Sequence, residues 1–384
     1  MAVATRLRPF GSTIFTEVSA RALEVKAVNL GQGFPDFEGP DFVKEAAKAG
    51  IDHQSNQYPP SMGIPALREA VAARFEAQTG RAVDPNRQVT ITSGCTEALA
   101  ASFLGLLEPK DPVILLQPWY DCYPVGCALS DAAPRYVTLR PPGFRLPEAE
   151  LRAAFEDGAR AIVINTPHNP TGRVFSRSEM DLVAELCVAH DVLAFTDEVY
   201  EHIRFDGVPH RSLAAWPGMW ERTVTMSSVG KSFSVTGWKT GWAVAPEHLT
   251  AGVRAAHQFL TFTTPNPMQY GTAAALSAPQ EYFEGLQSLY TARRDLLAEG
   301  LDRLGFGVYL PQGTYFLMAD HRPFGFGDDI SFVHHLIEEV GVAAIPPSVF
   351  YDDPADGAGM VRFAFCKSEE TLRAALERME ALRR

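Results

Sequence analysis

From about residue 84 onward, short runs of aliphatic and β-branched residues alternate with longer stretches whose apolar positions recur every three to four residues. Residues 88–92, 113–116, 161–165, 192–197 and 223–227 read as buried strands, and 96–107 and 176–190 as amphipathic helices between them. Such alternation implies crossover connections, hence a mostly parallel sheet covered by helices and an α/β fold. Beyond Pro265 the pattern changes: a long helical stretch over 281–304 has no strand partner nearby, short strands follow at 314–318 and 361–365, and 369–384 is an amphipathic helix. This predicts a second, smaller α/β domain. Residues 12–41 precede the alternating region and divide between that domain and an extended arm.

Length agrees with this division, because 384 residues exceed what one hydrophobic core normally supports. With 46% apolar and 21% charged residues the chain is of folded type, which excludes disordered, collagenous and disulfide-scaffold classes. The net charge of −12, with no basic run, would repel a phosphate backbone, so nucleic acid is not an expected partner. Five cysteines without a C-x-x-C indicate neither a disulfide framework nor a zinc knuckle, and a cytoplasmic location is expected. The apolar runs at 113–116 and 161–164 fall far short of the ~18 residues a membrane span needs, so no membrane partner is expected. Arg6 and Arg8 have no apolar segment after them to complete an organellar address.

In a parallel sheet, ligands bind beyond the carboxyl ends of the strands, so polar residues that terminate apolar runs are informative. One run ends in Asn165, another in Asp197, and a third leads within a few residues to Lys231. The spacings of 32 and 34 residues are about one βαβ unit each, which places the amide, the carboxylate and the amine on one rim. Plainer readings exist: turn or cap residues for Asn165 and Asp197, and a solvated loop lysine for Lys231. A phosphate-binding P-loop fails because its first glycine would fall on Thr225. Gly31 and Gly33 lack the third glycine and helix start of a dinucleotide fingerprint. His334 and His335 are adjacent on a helix and diverge, so no metal site is expected, and neither H-E-x-x-H nor G-x-S-x-G occurs.

What remains is a lysine able to form an imine, an aspartate able to hold a ring nitrogen, and an amide beside them, which is the equipment for pyridoxal phosphate. The residues also carry a family likeness at 28–37 (VNLGQGFPDF), 165–172 (NTPHNPTG), 196–200 (TDEVY), 228–231 (SVGK) running on to 237–241 (GWKTG), and 361–363 (VRF). The chain resembles class I and II aminotransferases of fold type I, within the branch of kynurenine, glutamine and methionine aminotransferases. The likeness runs in family order from about residue 28 to the C-terminus. It implies a large cofactor-binding domain over 46–285 with a mostly parallel seven-stranded sheet between helices, a small domain from 21–45 with 286–384, an N-terminal arm over 1–20, and a homodimer with shared active sites.

The resemblance also assigns roles. Lys231 forms the Schiff base and then moves the proton between substrate Cα and cofactor, which requires a depressed pKa. Asp197 accepts the pyridine N–H, while Tyr200 and Asn165 reach the phenolic oxygen. The 93–96 segment lies between a strand and a helix, where the backbone N–H groups of Cys95 and Thr96 can face an anion; Ser228 and Lys239 match the other phosphate ligands. Tyr120 aligns with the aromatic that stacks on the cofactor ring. Arg362 matches the arginine that clamps the substrate α-carboxylate, assisted by the Gly33 backbone and Asn165. By themselves Tyr120 and Tyr200 also read as packing aromatics, and Arg362 as a surface ion-pair residue.

Phe15, Tyr58 and Phe262 match the side-chain pocket, the last two contributed across the dimer interface. An aromatic wall favours a neutral donor: an aromatic amino acid, methionine, glutamine or a kynurenine-like compound, with a 2-oxo acid as acceptor. Thr96 and Thr263 depart from tyrosine and histidine found in kynurenine enzymes, and weigh against kynurenine itself. The expected function is transamination through Lys231. The alternatives are a cysteine-S-conjugate β-lyase using the same site and a non-catalytic pyridoxal-phosphate-binding module.

Overall fold

The computed structural model describes residues 3–11, 14–53 and 56–383. Its strands are β1 (Val28–Asn29), β2 (Val89–Thr92), β3 (Pro112–Gln117), β4 (Ala133–Thr138), β5 (Ala161–Asn165), β6 (Leu193–Asp197), β7 (Thr223–Ser228), β8 (Gly241–Val244), β9 (Gly307–Tyr309), β10 (Phe316–Asp320), β11 (Val342–Ala343) and β12 (Met360–Ala364). Seven of them form the main sheet in the order β2-β8-β7-β6-β5-β3-β4. All neighbours pair in parallel except β8, which runs antiparallel to both β2 and β7.

The central strands read as unbroken apolar runs because both faces are covered. Alternation shows only in which layer each residue enters. Val113, Leu115, Val163 and Phe195 join the core shared with the helix Gly94–Leu106. Ile114, Leu116, Ile162, Ile164 and Ala194 face the opposite layer, with Met180 and Val183 of the helix Arg177–His190. That helix opens on a full capping box, in which the Ser176 side chain accepts from the Glu179 N–H and the Glu179 carboxylate accepts from the Ser176 N–H.

A second sheet, β12-β10-β9, is antiparallel. Next to it β1 pairs in parallel with β11, Val28 opposite Val342. Leu30 then bridges the two pieces, its N–H donating to Ala343 O at 2.9 Å and its carbonyl accepting from the Ala364 N–H at 2.7 Å. Residues 31–33 are thereby delivered beside Arg362 on β12. The long helix Gln280–Leu304 and the helix Glu369–Met379 pack on this part, and the apolar core continues without a break from the main sheet into it.

Within the main sheet, the alternating pattern misses two strands. β4 is an edge strand with Pro134 and an exposed Arg135, so it has no apolar run to read. β8 is four residues long and begins with glycine. The helix expected from Thr96 starts at Gly94, so Cys95 and Thr96 lie inside its first turn. The helix expected over 369–384 ends at Met379, continuing as a 3₁₀ turn Glu380–Arg383; Arg384 lies outside the described residues. Within the expected arm, residues 1, 2, 12 and 13 are likewise outside, and Ile14–Glu24 is a helix that runs past residue 20. Among the described residues, no helix is long and apolar enough to cross a membrane.

Candidate active site

The carboxyl ends of β5, β6 and β7 open onto a cavity of about 320 Å³. Its lining includes Phe15, Gly33, Cys95, Thr96, Tyr120, Asn165, Asp197, Tyr200, Ser228, Lys231, Lys239 and Arg362. Of the residues assigned to the site by resemblance, Tyr58 and Phe262 lie elsewhere. They meet each other edge to face, ring centroids 5.3 Å apart, and Tyr58 is 82% exposed.

Parallel register sets the rim, because Asn165 and Asp197 are direct partners across β5 and β6. Asn165 is buried; its Nδ2 donates to the Asp197 carbonyl at 2.8 Å and its Oδ1 accepts from the Asn169 N–H at 2.7 Å, which fixes the amide plane. Asp197 is buried too. Its Oδ2 accepts from the Tyr123 hydroxyl at 2.9 Å and its Oδ1 from the Val199 N–H at 3.3 Å. Burial pushes this carboxyl above the usual range, while Tyr123, the Val199 N–H, the Cys95 thiol and the charge of Lys231 act against it. No arginine or lysine forms an ion pair with Asp197 among the described residues. A buried carboxylate with neutral donors and no cation is suited to a ligand that brings a charged N–H.

Lys231 sits on the one-turn helix Val229–Ser232 directly after β7. Its Nζ lies 5.6 Å from the ring centres of both Tyr200 and Tyr315. Burial lowers its pKa below the usual lysine range; Lys239 and Arg362 push the same way, while Cys366 and Asp197 oppose. Tyr200 is almost wholly buried edge-on against Tyr315, ring centroids 5.2 Å apart, and burial pushes its hydroxyl up. The Tyr315 hydroxyl in turn donates to Gly33 O at 2.6 Å. A Cβ at Gly33 would meet Phe316 at 2.5 Å, so the backbone there can approach only as glycine.

At the other end of the cavity three segments converge. The first turn of Gly94–Leu106 presents N–H groups that have no partner within the helix. Lys239, in left-handed conformation at φ 50°, brings its Nζ to 3.4 Å from Thr96 Oγ1. Ser228 closes the third side. The cradle depends on Gly241, where a Cβ would sit 2.6 Å from Gly94 C and 2.7 Å from Cys95 N. Gly241→Ala should therefore force the first turn away from β8, at a cost of about 1–3 kcal/mol. The expected result is a lower Tm and weaker anion binding at this end of the cavity, checked by thermal melts with and without inorganic phosphate.

Arg362 does not make the surface ion pair its sequence context allows. It is 1% exposed, has no carboxylate partner among the described residues, and stacks its guanidinium 4.1 Å over the Phe316 ring centre. Its Nη2 donates to Gly31 O at 2.9 Å and its Nε has no partner. Burial lowers its pKa to about 10, which leaves it charged at neutral pH. A buried cation with an orphan donor at a cavity wall suits a carboxylate ligand.

Sequence reasoning did not single out Tyr123, Asn169, Gln32, Thr236 or Phe316, all in the lining. Tyr123 lies three residues after Tyr120, in the first turn of the helix Cys122–Ser130, and that nearness to Tyr120 is the one signal that could have found it. Nothing local links it to Asp197, 74 residues away.

Residues 25–379 match the family model described as Aminotransferase class I and II. The solved structure of N-succinyldiaminopimelate aminotransferase from Mycobacterium tuberculosis is 46% identical, covers 99% of this chain and 100% of its own, and superposes with a TM-score of 0.97. Methionine aminotransferase of Escherichia coli is 39% identical over 98% of both proteins. Human kynurenine–oxoglutarate transaminase 1 is 37% identical over 98% of this chain and 97% of its own length.

Proposed function

Since the chain belongs to the class I and II aminotransferases and is a pyridoxal-phosphate-dependent transaminase, we propose that it moves the α-amino group of a neutral amino acid to a 2-oxo acid, with Lys231, Asp197 and Tyr200 as its catalytic residues. The observation that carries the site assignment is the pairing in one cavity of a lysine of lowered pKa with a buried arginine that has no acid partner.

The residues present fit the cofactor. The unpaired carboxylate of Asp197 suits its ring nitrogen; the first-turn N–H groups of Cys95 and Thr96, with Ser228 and Lys239, suit its phosphate; Tyr120 suits its ring face; and Asn165 and Tyr200 suit its phenolic oxygen. When bound, pyridoxal phosphate supplies an aldehyde for amines to condense with and a ring that withdraws electrons from the substrate Cα. The protein does the rest. Arg362, with the Gly33 backbone and Asn165, holds the α-carboxylate and so aims the Cα–H bond. Lys231 Nζ, kept in its unprotonated form by its lowered pKa, would take that proton. Asp197 holds its negative charge against the ring N–H.

We assign residues 46–285 to a large cofactor-binding domain and 21–45 with 286–384 to a small one, in a homodimer in which Tyr58 and Phe262 finish the partner's substrate pocket. On this reading Phe15, Tyr58 and Phe262 form an aromatic wall, which favours uncharged side chains. The lining of this chain's cavity supports that preference, because Lys231, Lys239 and Arg362 are its only cations among the described residues and all three have other tasks. A second reading has a specific observation behind it: the 46% identical mycobacterial protein is named for a donor with an extra carboxylate.

A donor panel separates the two. With 2-oxoglutarate as acceptor, methionine, glutamine or an aromatic amino acid should exceed N-succinyldiaminopimelate in kcat/KM by at least about tenfold, the scale on which an uncompensated pocket difference discriminates. The reverse ranking would replace the neutral donor with the acidic one. Pyruvate and ammonia formed from cysteine conjugates would show the β-lyase reaction.

A further inference from the structure

Outside the cavity, one buried ion pair links two parts of the reaction site that belong to different pockets. Glu97 lies in the first turn of Gly94–Leu106, and its two oxygens face different ways. Oε2 accepts from the Ser93 N–H at 2.6 Å, at the cradle itself. Oε1 lies 2.7 Å from Nδ1 of His257, a residue 1% exposed on the helix Glu247–Leu260. The other ring nitrogen of His257, Nε2, lies 2.7 Å from the backbone carbonyl of Ser61.

The partners of the two ring nitrogens favour a doubly protonated ring. A carbonyl oxygen only accepts, so Nε2 carries a proton; an ionised carboxylate only accepts, so Nδ1 carries one as well. Burial opposes that charge, but Glu97 and the Ser61 carbonyl outweigh it and hold the imidazole above its usual range. Of the charged groups, Glu97 is the one that bears on it; Thr261 Oγ1, 3.4 Å from Nδ1, is neutral.

Both ends of His257 lead to the Tyr58–Phe262 pair. Its side chain grips Ser61, three residues after Tyr58, in a loop also pinned by Gly63 N–H to Pro60 O at 2.8 Å and by Ile91 N–H to Met62 O at 3.0 Å. Its carbonyl accepts from the Phe262 N–H at 3.1 Å, where the chain turns at φ 65°. The two aromatics thus stand on segments joined through one histidine, by its main chain to Phe262 and by its ring to Ser61, and that ring is itself anchored on the helix that forms the proposed phosphate cradle.

We propose that Glu97 and His257 are a positioning pair, with His257 carried as an imidazolium, that holds the Tyr58–Phe262 wall in fixed register with the phosphate cradle of its own protomer. The inference rests on the reading above, in which that wall completes the partner's pocket. Each cradle would then set the shape of the neighbouring substrate site.

The test uses the ¹⁵N-histidine-labelled holoenzyme, with His257→Gln identifying the signal. At pH 7.5 both ring nitrogens of His257 should be protonated. In His257→Gln the KM of the preferred donor should rise at least about fivefold with kcat within about twofold, the signature of lost ground-state binding. Glu97→Gln keeps an acceptor for Ser93 N–H and offers an N–H to Nδ1, so the ring should fall to the neutral Nε2–H form, still on Ser61, with a KM nearer wild type than His257→Gln gives. A singly protonated ring in the wild type overturns the pair, as does an unmoved KM in His257→Gln or an equal rise in both variants. Should His257→Gln not fold, the ring signal that changes protonation in Glu97→Gln identifies His257, and its state in wild type and in that variant decides alone. If no amino donor turns over, the reaction assignment fails, while ring protonation still decides the pair.

Discussion

Replacing Lys231 with alanine should lower kcat/KM for every amino donor by at least about 10⁴-fold, the upper range for a positioned acid–base group, with the loss of a covalent anchor added to it. No other group in the lining can take over. Lys239 is directed at the first turn of Gly94–Leu106, 3.4 Å from Thr96 Oγ1, and Arg362 lies buried with one arm on Gly31 O and stays protonated at neutral pH. The variant should still bind cofactor through the cradle, so binding and turnover come apart. Borohydride reduction should fix the cofactor to the peptide containing Lys231 in wild type and leave the alanine variant unlabelled. A variant that kept more than about a hundredth of wild-type turnover would remove Lys231 from the proton transfer.

Asp197→Asn should cost about 10²–10³-fold in kcat, the scale for losing one preorganised charged partner in a water-poor site. The amide is nearly isosteric and can still meet Tyr123 and the Val199 N–H, so the fold should persist. What disappears is the buried negative charge able to keep a ring nitrogen protonated. Cofactor affinity should fall much less than kcat, because the residues proposed to hold the phosphate lie on other segments. Single-turnover kinetics alongside cofactor titration would show this; equal losses in both would mean Asp197 serves binding alone.

Much of the architecture could be read from periodicity, because a buried parallel strand has a continuous apolar signature and a polar terminus where ligands bind. Asn165, Asp197 and Lys231 were found in this way, and the structure places all three around one cavity. The likeness to a family added residues with no local signal of their own: Arg362 on an apolar strand, Lys239 beyond a short turn, and Phe15 near the start of the helix Ile14–Glu24. The rest was hidden for physical reasons. β4 is an edge strand, and edge strands carry proline and charge. β8 is short and opens with glycine because the cradle backbone leaves no space for a Cβ. Tyr123 and the Glu97–His257 pair are defined by partners 74 and 160 residues away, and separation on that scale leaves no periodic trace.

The reversed strand β8 also bears on how the protein comes to be made. Lys239 and Gly241 reach the cradle only by inserting β8 between β2 and β7, so the anion site joins residues about 150 positions apart. Such distant pairing comes late, since long loops must close before it is rewarded. A nascent chain that has emerged only as far as β7 already holds six of the seven main-sheet strands together with the aspartate and the amide, yet lacks Lys239 and the β8 backbone, so the last of these strands to be synthesised is the one that completes the cradle.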